Sequence, residues 1–125
     1  MNHPLAARIA AGFAMLGVAL GAFGAHSLKD TLAASPNGFE TWKTAVLYHL
    51  LHAVAMYVVA FTKSSLCTWF LFAGGILLFS GSLYLLAAFQ WKWLGPVTPV
   101  GGVLFIAGWA TLMIARTSKQ SSPPV

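Results

Sequence analysis

The sequence has few charged residues, and almost none of them are acidic. Only 7% of its 125 residues are charged, against about a quarter in a typical soluble domain, so the chain could not cover a globular fold with a water-facing surface. Aspartate and glutamate together number two, which leaves a formal net charge of +5. The seven basic residues stand singly between apolar stretches, a pattern that is typical of membrane proteins and argues against a nucleic-acid interface.

Sequence signatures of catalysis are also missing. The chain has one cysteine, Cys67, so it cannot form an internal disulfide, and no second cysteine or neighbouring base activates that thiol. The sequence contains no phosphate-binding loop, nucleophile elbow, paired carboxylates or zinc-protease motif. We therefore assign no catalytic residue, metal or cofactor, and predict that the protein is not an enzyme.

Long apolar segments dominate what is present. Hydrophobic residues make up 58% of the chain, and segments of about 20 apolar residues are long enough to cross a bilayer as helices. The predicted spans cover about residues 5–27, 42–62, 68–89 and 97–115. The short link at 63–67 makes the second and third spans antiparallel neighbours. We expect an all-α, four-helix transmembrane bundle in one domain, although a secretory signal peptide is a competing interpretation of the first segment.

The connection between the first two spans is the longest polar stretch. It holds both acidic residues, Asp30 and Glu40, and the turn cluster Ser-Pro-Asn-Gly at 35–38. Residues 27–34 could form a short interfacial helix, and either Asn37 or Thr41 could cap the helix that follows.

The second span carries two histidines, His49 and His52, in a segment with no charged residue from Thr44 to Thr62. Their spacing of three places them on one face of a helix, one turn apart. A four-residue ridge through His52 would add further polar groups to this face; its members are Glu40, Thr44, Tyr48 and Met56. We expect both imidazoles to point into the bundle, toward the first helix and residues 80–84, because an unpaired polar group in hydrocarbon is costly.

Two interpretations of this polar face stay open. Histidine and methionine could bind a metal or haem, or carry protons. Alternatively, neutral imidazoles could form hydrogen bonds between helices and fix their register. We favour the second interpretation, because a closed metal site needs three or four ligands and the third imidazole, His26, lies near the membrane edge. The residues assigned to the polar seam or possible ligand site are His26, Tyr48, His49, His52, Met56 and Tyr84.

Small residues recur along the other predicted helices. Glycine lets the backbones of membrane helices approach closely. The glycines assigned to helix packing are Gly17, Gly21, Gly81, Gly101, Gly102 and Gly108.

Four short motifs, taken in this order, resemble a known family. They are Phe-Gly-Ala-His at 23–26, Thr-Ala-x-x-Tyr-His-x-x-His at 44–52, Phe-x-Gly-Ser-Leu-Tyr at 79–84, and Leu-Gly-Pro-x-Thr-Pro-x-Gly-Gly at 94–102 followed by Phe-Ile-x-Gly-Trp at 105–109. Over about residues 5–115 the chain resembles the small membrane proteins labelled domain of unknown function 423, which are related to the transmembrane protein 256 group. The resemblance implies a small polytopic membrane protein and no settled activity.

The sequence thus favours an accessory or assembly protein that acts through helix–helix contacts with its own copies or within a larger membrane complex, with membrane lipids around it. An intramembrane binder of lipid, quinone, haem or metal at His49 and His52 is the alternative, and an oligomeric channel or transporter is a weaker one. We expect the protein to lie in the cell membrane, which is the inner membrane if the source is bacterial. Both termini are expected to be cytoplasmic, because that side has four basic residues and the other has three.

Overall fold

Four long apolar helices form the structure, which is a computed structural model describing residues 3–115. The elements in order are α1 (Pro4–Ala25), α2 (Lys29–Ala33), α3 (Gly38–Ala60), α4 (Leu66–Gly75), a π-helical turn (Ile76–Ser80), α5 (Gly81–Phe89), a 3₁₀ turn (Lys92–Leu94) and α6 (Val97–Ile114). The third span, Leu66–Phe89, comprises α4, the π turn and α5. Every regular element in the described residues is helical, which confirms the predicted all-α class.

The helix bounds differ from the predicted spans mainly at the start of α3. This helix begins at Gly38, four residues before the predicted start at 42. Asn37 is its N-cap residue and adopts a left-handed conformation with φ of 60°, which asparagine tolerates better than most residues. Thr41 lies inside the first turn, and α2 corresponds to the predicted interfacial helix at 27–34. Arg116 and Lys119, which entered the orientation argument, lie outside the described residues.

The second and third spans form the centre of the bundle, and the first and fourth flank them. In α3 and the third span 39% of the apolar window is buried, against 17% in α1 and in the fourth span. Hydrogen bonds from side chains link α1 to α3 and link the third span to both α3 and α6. The outer helices therefore leave most of their surface to lipid.

The register of these bonds shows that sequential spans are antiparallel. The early residue Ala45 of α3 meets Ser80 late in the third span, whereas His3 at the beginning of the chain bonds to Ala60 at the end of α3. Thr68 and Thr111 meet at one end of the third and fourth spans. The predicted antiparallel arrangement of the second and third spans is thus present.

The buried face of α3 follows alternating steps of four and three residues. Its members are Gly38, Trp42, Ala45, His49, His52, Met56 and Val59. This spacing is the one that keeps a helix seam facing its neighbours in a left-handed bundle. The predicted four-residue ridge was wrong at its beginning, because Glu40 and Thr44 are exposed. Each step of four residues rotates by about 40° around a helix with 3.6 residues per turn, so a ridge of fours leaves the seam.

A π-helical turn interrupts the third span where the fourth packs closest to it. The turn covers Ile76–Ser80, and a Cβ added to Gly101 of α6 would collide with the backbone of Phe79. This turn was not predicted from the sequence. The last residue of the turn, Ser80, donates its hydroxyl hydrogen to the Ala45 carbonyl oxygen of α3 at 2.8 Å.

Candidate functional site

His49 bridges α3 to two other helices. Its Nε2 lies 2.8 Å from the carbonyl oxygen of Phe13 in α1, and its Nδ1 lies 2.9 Å from the hydroxyl of Tyr84 in α5. A carbonyl oxygen can only accept, so Nε2 carries the proton and donates it. In the neutral ring Nδ1 then accepts a hydrogen bond from the Tyr84 hydroxyl. His49 therefore joins the first three spans.

The hydrogen bonds of His52 select the tautomer opposite to that of His49. Its Nδ1 lies 2.7 Å from the carbonyl oxygen of Tyr48, one turn back in the same helix, so Nδ1 donates. The indole Nε1–H of Trp109 in α6 donates to Nε2 at 3.0 Å. Because tryptophan has only a donor, Nε2 of His52 must carry a lone pair, which makes this ring neutral. His52 therefore joins α3 to the fourth span.

Aromatic rings enclose the imidazole of His52. The ring of Phe105 stacks on it with centroids 3.7 Å apart and planes 11° apart. Phe72 approaches in a T-shaped geometry at 5.3 Å, and Trp109 does the same at 5.9 Å. The imidazole has only 2% of its surface exposed, so its two polar atoms depend on Tyr48 and Trp109 for hydrogen bonds.

Both nitrogens of each histidine are therefore engaged within the protein. A metal or haem iron would need a free imidazole lone pair, and the lone pairs of His49 and His52 accept hydrogen bonds from Tyr84 and Trp109. Among residues 3–115 no group of three His, Cys, Asp or Glu side chains is close enough to hold a metal ion. The geometry suits a hydrogen-bonded bridge between helices and does not suit a ligand site as it stands.

The other residues assigned to the seam are placed unequally. Tyr84 belongs to it through its hydroxyl. Tyr48 contributes its carbonyl oxygen, while its side chain is 39% exposed and packs against the rings of Phe79 and Phe105. Met56 is fully buried in the apolar core. His26 is exposed beyond the end of α1, and the structure does not bring it to the other two histidines.

Only some of the glycines assigned to helix packing lie in close contact with a neighbouring helix. An added Cβ at Gly17, Gly101 or Gly108 would collide with a neighbouring helix, and one at Gly21 would press on Val46 at 3.3 Å. Gly102 has only ordinary contact with Phe79. The assignment of Gly81 was wrong, because its nearest atom is the Ile76 carbonyl oxygen of its own span, 3.9 Å away.

Sequence reasoning missed the indole bridges. Trp42 donates to the Leu20 carbonyl oxygen at 2.9 Å, with its ring against Gly24. Trp69 donates to the Ala6 carbonyl oxygen at 3.2 Å. The position of Trp42 on the alternating four-and-three pattern of α3 was an available signal, because a tryptophan on a buried seam needs an acceptor.

Hydroxyl pairs complete the connections between the third and fourth spans. Thr68 and Thr111 are 2.6 Å apart, and Ser82 and Thr98 form a second pair. Within residues 3–115 every buried side-chain nitrogen or oxygen has a hydrogen-bond partner. The polar interior is thus internally satisfied.

Comparison with known proteins identifies the family. The profile of the family described as "Protein of unknown function (DUF423)" matches residues 20–102. The UPF0382 membrane protein YwdK of Bacillus subtilis is 44% identical over 111 residues, which cover 82% of this chain and 87% of that protein. The chain belongs to the DUF423 family. The resemblance drawn from the four motifs is confirmed.

Further DUF423-like relatives agree on the location. The UPF0382 inner membrane protein YgdD of Escherichia coli is 41% identical over 103 residues, covering 78% of this chain and 77% of that protein. A UPF0382 membrane protein of Staphylococcus epidermidis is 44% identical over 108 residues, with 82% of this chain and 86% of that protein covered. No solved structure matches the chain. With four apolar helices, this family membership makes the protein a polytopic membrane protein.

Proposed function

We propose that this protein is a non-enzymatic accessory or assembly protein of the cell membrane, which acts by packing against its own copies or against another membrane protein. The observation that carries the proposal is that the polar groups inside the bundle already have hydrogen-bond partners. Each ring nitrogen of His49 and His52 has a partner in another turn or helix, and no buried side-chain nitrogen or oxygen in residues 3–115 lacks a hydrogen-bond partner. What remains for recognition is the outer surface.

The exposed side of α1 supports association. Gly12 has no atom within 4 Å of where a Cβ would be, and Met15 and Val18 are 73% and 62% exposed on the same outer helix. A glycine on a lipid-facing helix allows the backbone of a second helix to approach. The flanking position of α1 in the bundle leaves this side free for another protein.

Association should be visible in mild detergent and should depend on Gly12. Native mass spectrometry or mass photometry of the purified full chain is expected to show a dimer, a larger oligomer or a co-purifying membrane protein. Gly12→Leu should weaken this complex without lowering the melting temperature, because the added side chain points into open space. Val54→Leu, on the exposed side of α3, is the matched control. A strictly monomeric particle with no co-purifying protein would contradict the proposal.

The proposed orientation places both termini in the cytoplasm, which puts the link between α3 and α4 on the same side. Cys67, the only cysteine, is exposed in the first turn of α4 beside this link, so the natural chain carries its own reporter. A membrane-impermeant maleimide should label Cys67 in lysed cells and leave it unlabelled in intact spheroplasts. Labelling in intact spheroplasts would reverse the orientation.

A further inference from the structure

A polar depression lies at the end of the bundle where α3 passes to α4. It has a volume of about 430 Å³ and is lined by His3, Thr62, Lys63, Ser64, Ser65 and Leu66. The backbone N–H of His3 bonds to the carbonyl oxygen of Ala60, which holds the beginning of α1 against the end of α3. We call this depression the polar cradle.

Hydrogen-bond donors predominate in the polar cradle. Ser65 is the N-cap of α4, and its Oγ accepts from the backbone N–H of Cys67 at 3.0 Å. The Thr62 hydroxyl lies 3.0 Å from the Val59 carbonyl oxygen and 2.8 Å from the Ser64 Oγ, and because its one hydrogen goes to the carbonyl, the Ser64 hydroxyl donates to Thr62 Oγ1. The Ser65 hydroxyl has no acceptor for its own hydrogen among the hydrogen bonds of residues 3–115, so that hydrogen is available to a ligand beside the ammonium group of Lys63. Such a set of donors suits an anion.

The charge distribution favours the same sign of ligand. Lys63 lines the polar cradle, and Arg8 lies on the first turns of α1 at the same end. No acidic side chain lines it. Both acidic residues of the sequence lie at the opposite end, Asp30 in α2 and Glu40 in the first turn of α3, about 30 Å away for a helix of 20 residues.

An apolar groove continues from the polar cradle along the outside of the bundle. It has a volume of about 350 Å³, shares His3 and Leu66 with the cradle, and runs past Leu5, Ile9, Trp69 and Phe70. The Trp69 indole N–H is already bonded to the Ala6 carbonyl oxygen, so this ring offers the groove only apolar surface. The groove lies between α1 and α4, and it leads from the helix ends toward the hydrocarbon.

We propose that the polar cradle and the apolar groove together bind one anionic phospholipid, with its phosphate against Lys63 and the Ser65 hydroxyl and an acyl chain along Ile9 and Trp69. Charge complementarity selects this occupant, because a basic and donor-rich site at headgroup depth attracts anionic lipids, and the joined groove accepts a chain that a free phosphate lacks. The site is separate from the histidine bridges and goes beyond the proposed packing function.

The test measures the melting temperature of the purified full chain in mild detergent against added lipid. Phosphatidylglycerol should raise it saturably, and phosphatidylcholine with the same acyl chains should raise it much less. Lys63→Gln should increase the half-saturating concentration of phosphatidylglycerol about fivefold, the effect of one lysine near an anionic headgroup. Lys92→Gln, which makes the same charge change at the other end of the bundle, should leave that concentration unchanged.

Each contrary outcome overturns the proposal in a distinct way. Equal responses to the two lipids would show that the headgroup charge is not read. An equal increase in the half-saturating concentration in Lys63→Gln and Lys92→Gln would show that the lipid responds to the overall positive charge of the protein and not to a specific site. An equal response to inorganic phosphate at matched ionic strength would show an anion site that does not use the groove. Retained phosphatidylglycerol binding in Ile9→Trp, which fills the groove, would exclude the acyl-chain position.

Discussion

Replacing His49 with leucine is expected to lower the unfolding free energy of the bundle in detergent by about 2–4 kcal/mol, because two interhelical hydrogen bonds are lost and the half-buried Tyr84 hydroxyl is left unpaired. The Phe13 carbonyl oxygen keeps the backbone bond of its own helix. The Tyr84 hydroxyl has no other partner among the described hydrogen bonds. Unfolding in SDS, followed by circular dichroism, would measure the change.

A second substitution makes this prediction specific to the hydrogen bond. Tyr84→Phe alone should destabilise the protein, because it leaves Nδ1 of His49 without its donor. In the His49→Leu background the same change should be neutral or stabilising, because it removes the orphaned hydroxyl. Additive losses in the double variant would contradict a direct bond between the two side chains.

Gly101→Ala is the other substitution with a large expected effect. The added Cβ would meet the backbone nitrogen of Phe79 in the π turn, and backbone cannot rotate away as a flexible side chain can. Overpacking of this kind costs about 1–3 kcal/mol, and more when the helices must separate. The melting temperature in detergent should fall accordingly.

The neighbouring glycine provides the control for this prediction. A Cβ at Gly102 would lie 3.7 Å from the Phe79 ring, which is ordinary contact. Gly102→Ala should therefore be neutral, or stabilising by up to about 1 kcal/mol from its better helix propensity. Equal effects of the two substitutions would show that α6 does not pack on the π turn in this register.

The sequence determines the spans and their neighbours well, because the relevant signals are local. Apolar runs of membrane length were sufficient to predict four helices, and the short link at 63–67 was sufficient to predict that the second and third spans are antiparallel. The inward orientation of His49, toward the first helix and residues 80–84, also followed from the cost of an unpaired polar group in lipid. The sequence could not identify the Phe13 carbonyl oxygen as its acceptor, since every residue carries such an oxygen and only the packed register selects one.

Two features could not be predicted from the sequence, because they depend on how the helices pack against one another. His52 was expected to face the first helix and residues 80–84, and it instead meets Phe105 and Trp109 of α6. Both histidines were expected to share one face because of their spacing of three, whereas they occupy successive positions on a seam of alternating steps and point to different neighbours. The π turn has no distinct local signal, because Ile-Leu-Leu-Phe-Ser is an ordinary apolar run.

The tautomers of the two histidines test most directly the claim that they bridge helices and have no nitrogen free for a ligand. Nitrogen-15 NMR of histidine-labelled protein in detergent micelles at pH 7 would identify the tautomers, and His3→Gln and His26→Gln variants would remove the other two histidines from the spectrum. We predict two neutral rings of opposite type, with the proton on Nε2 in His49 and on Nδ1 in His52. The same tautomer in both rings, or an imidazolium at either position, would contradict the account.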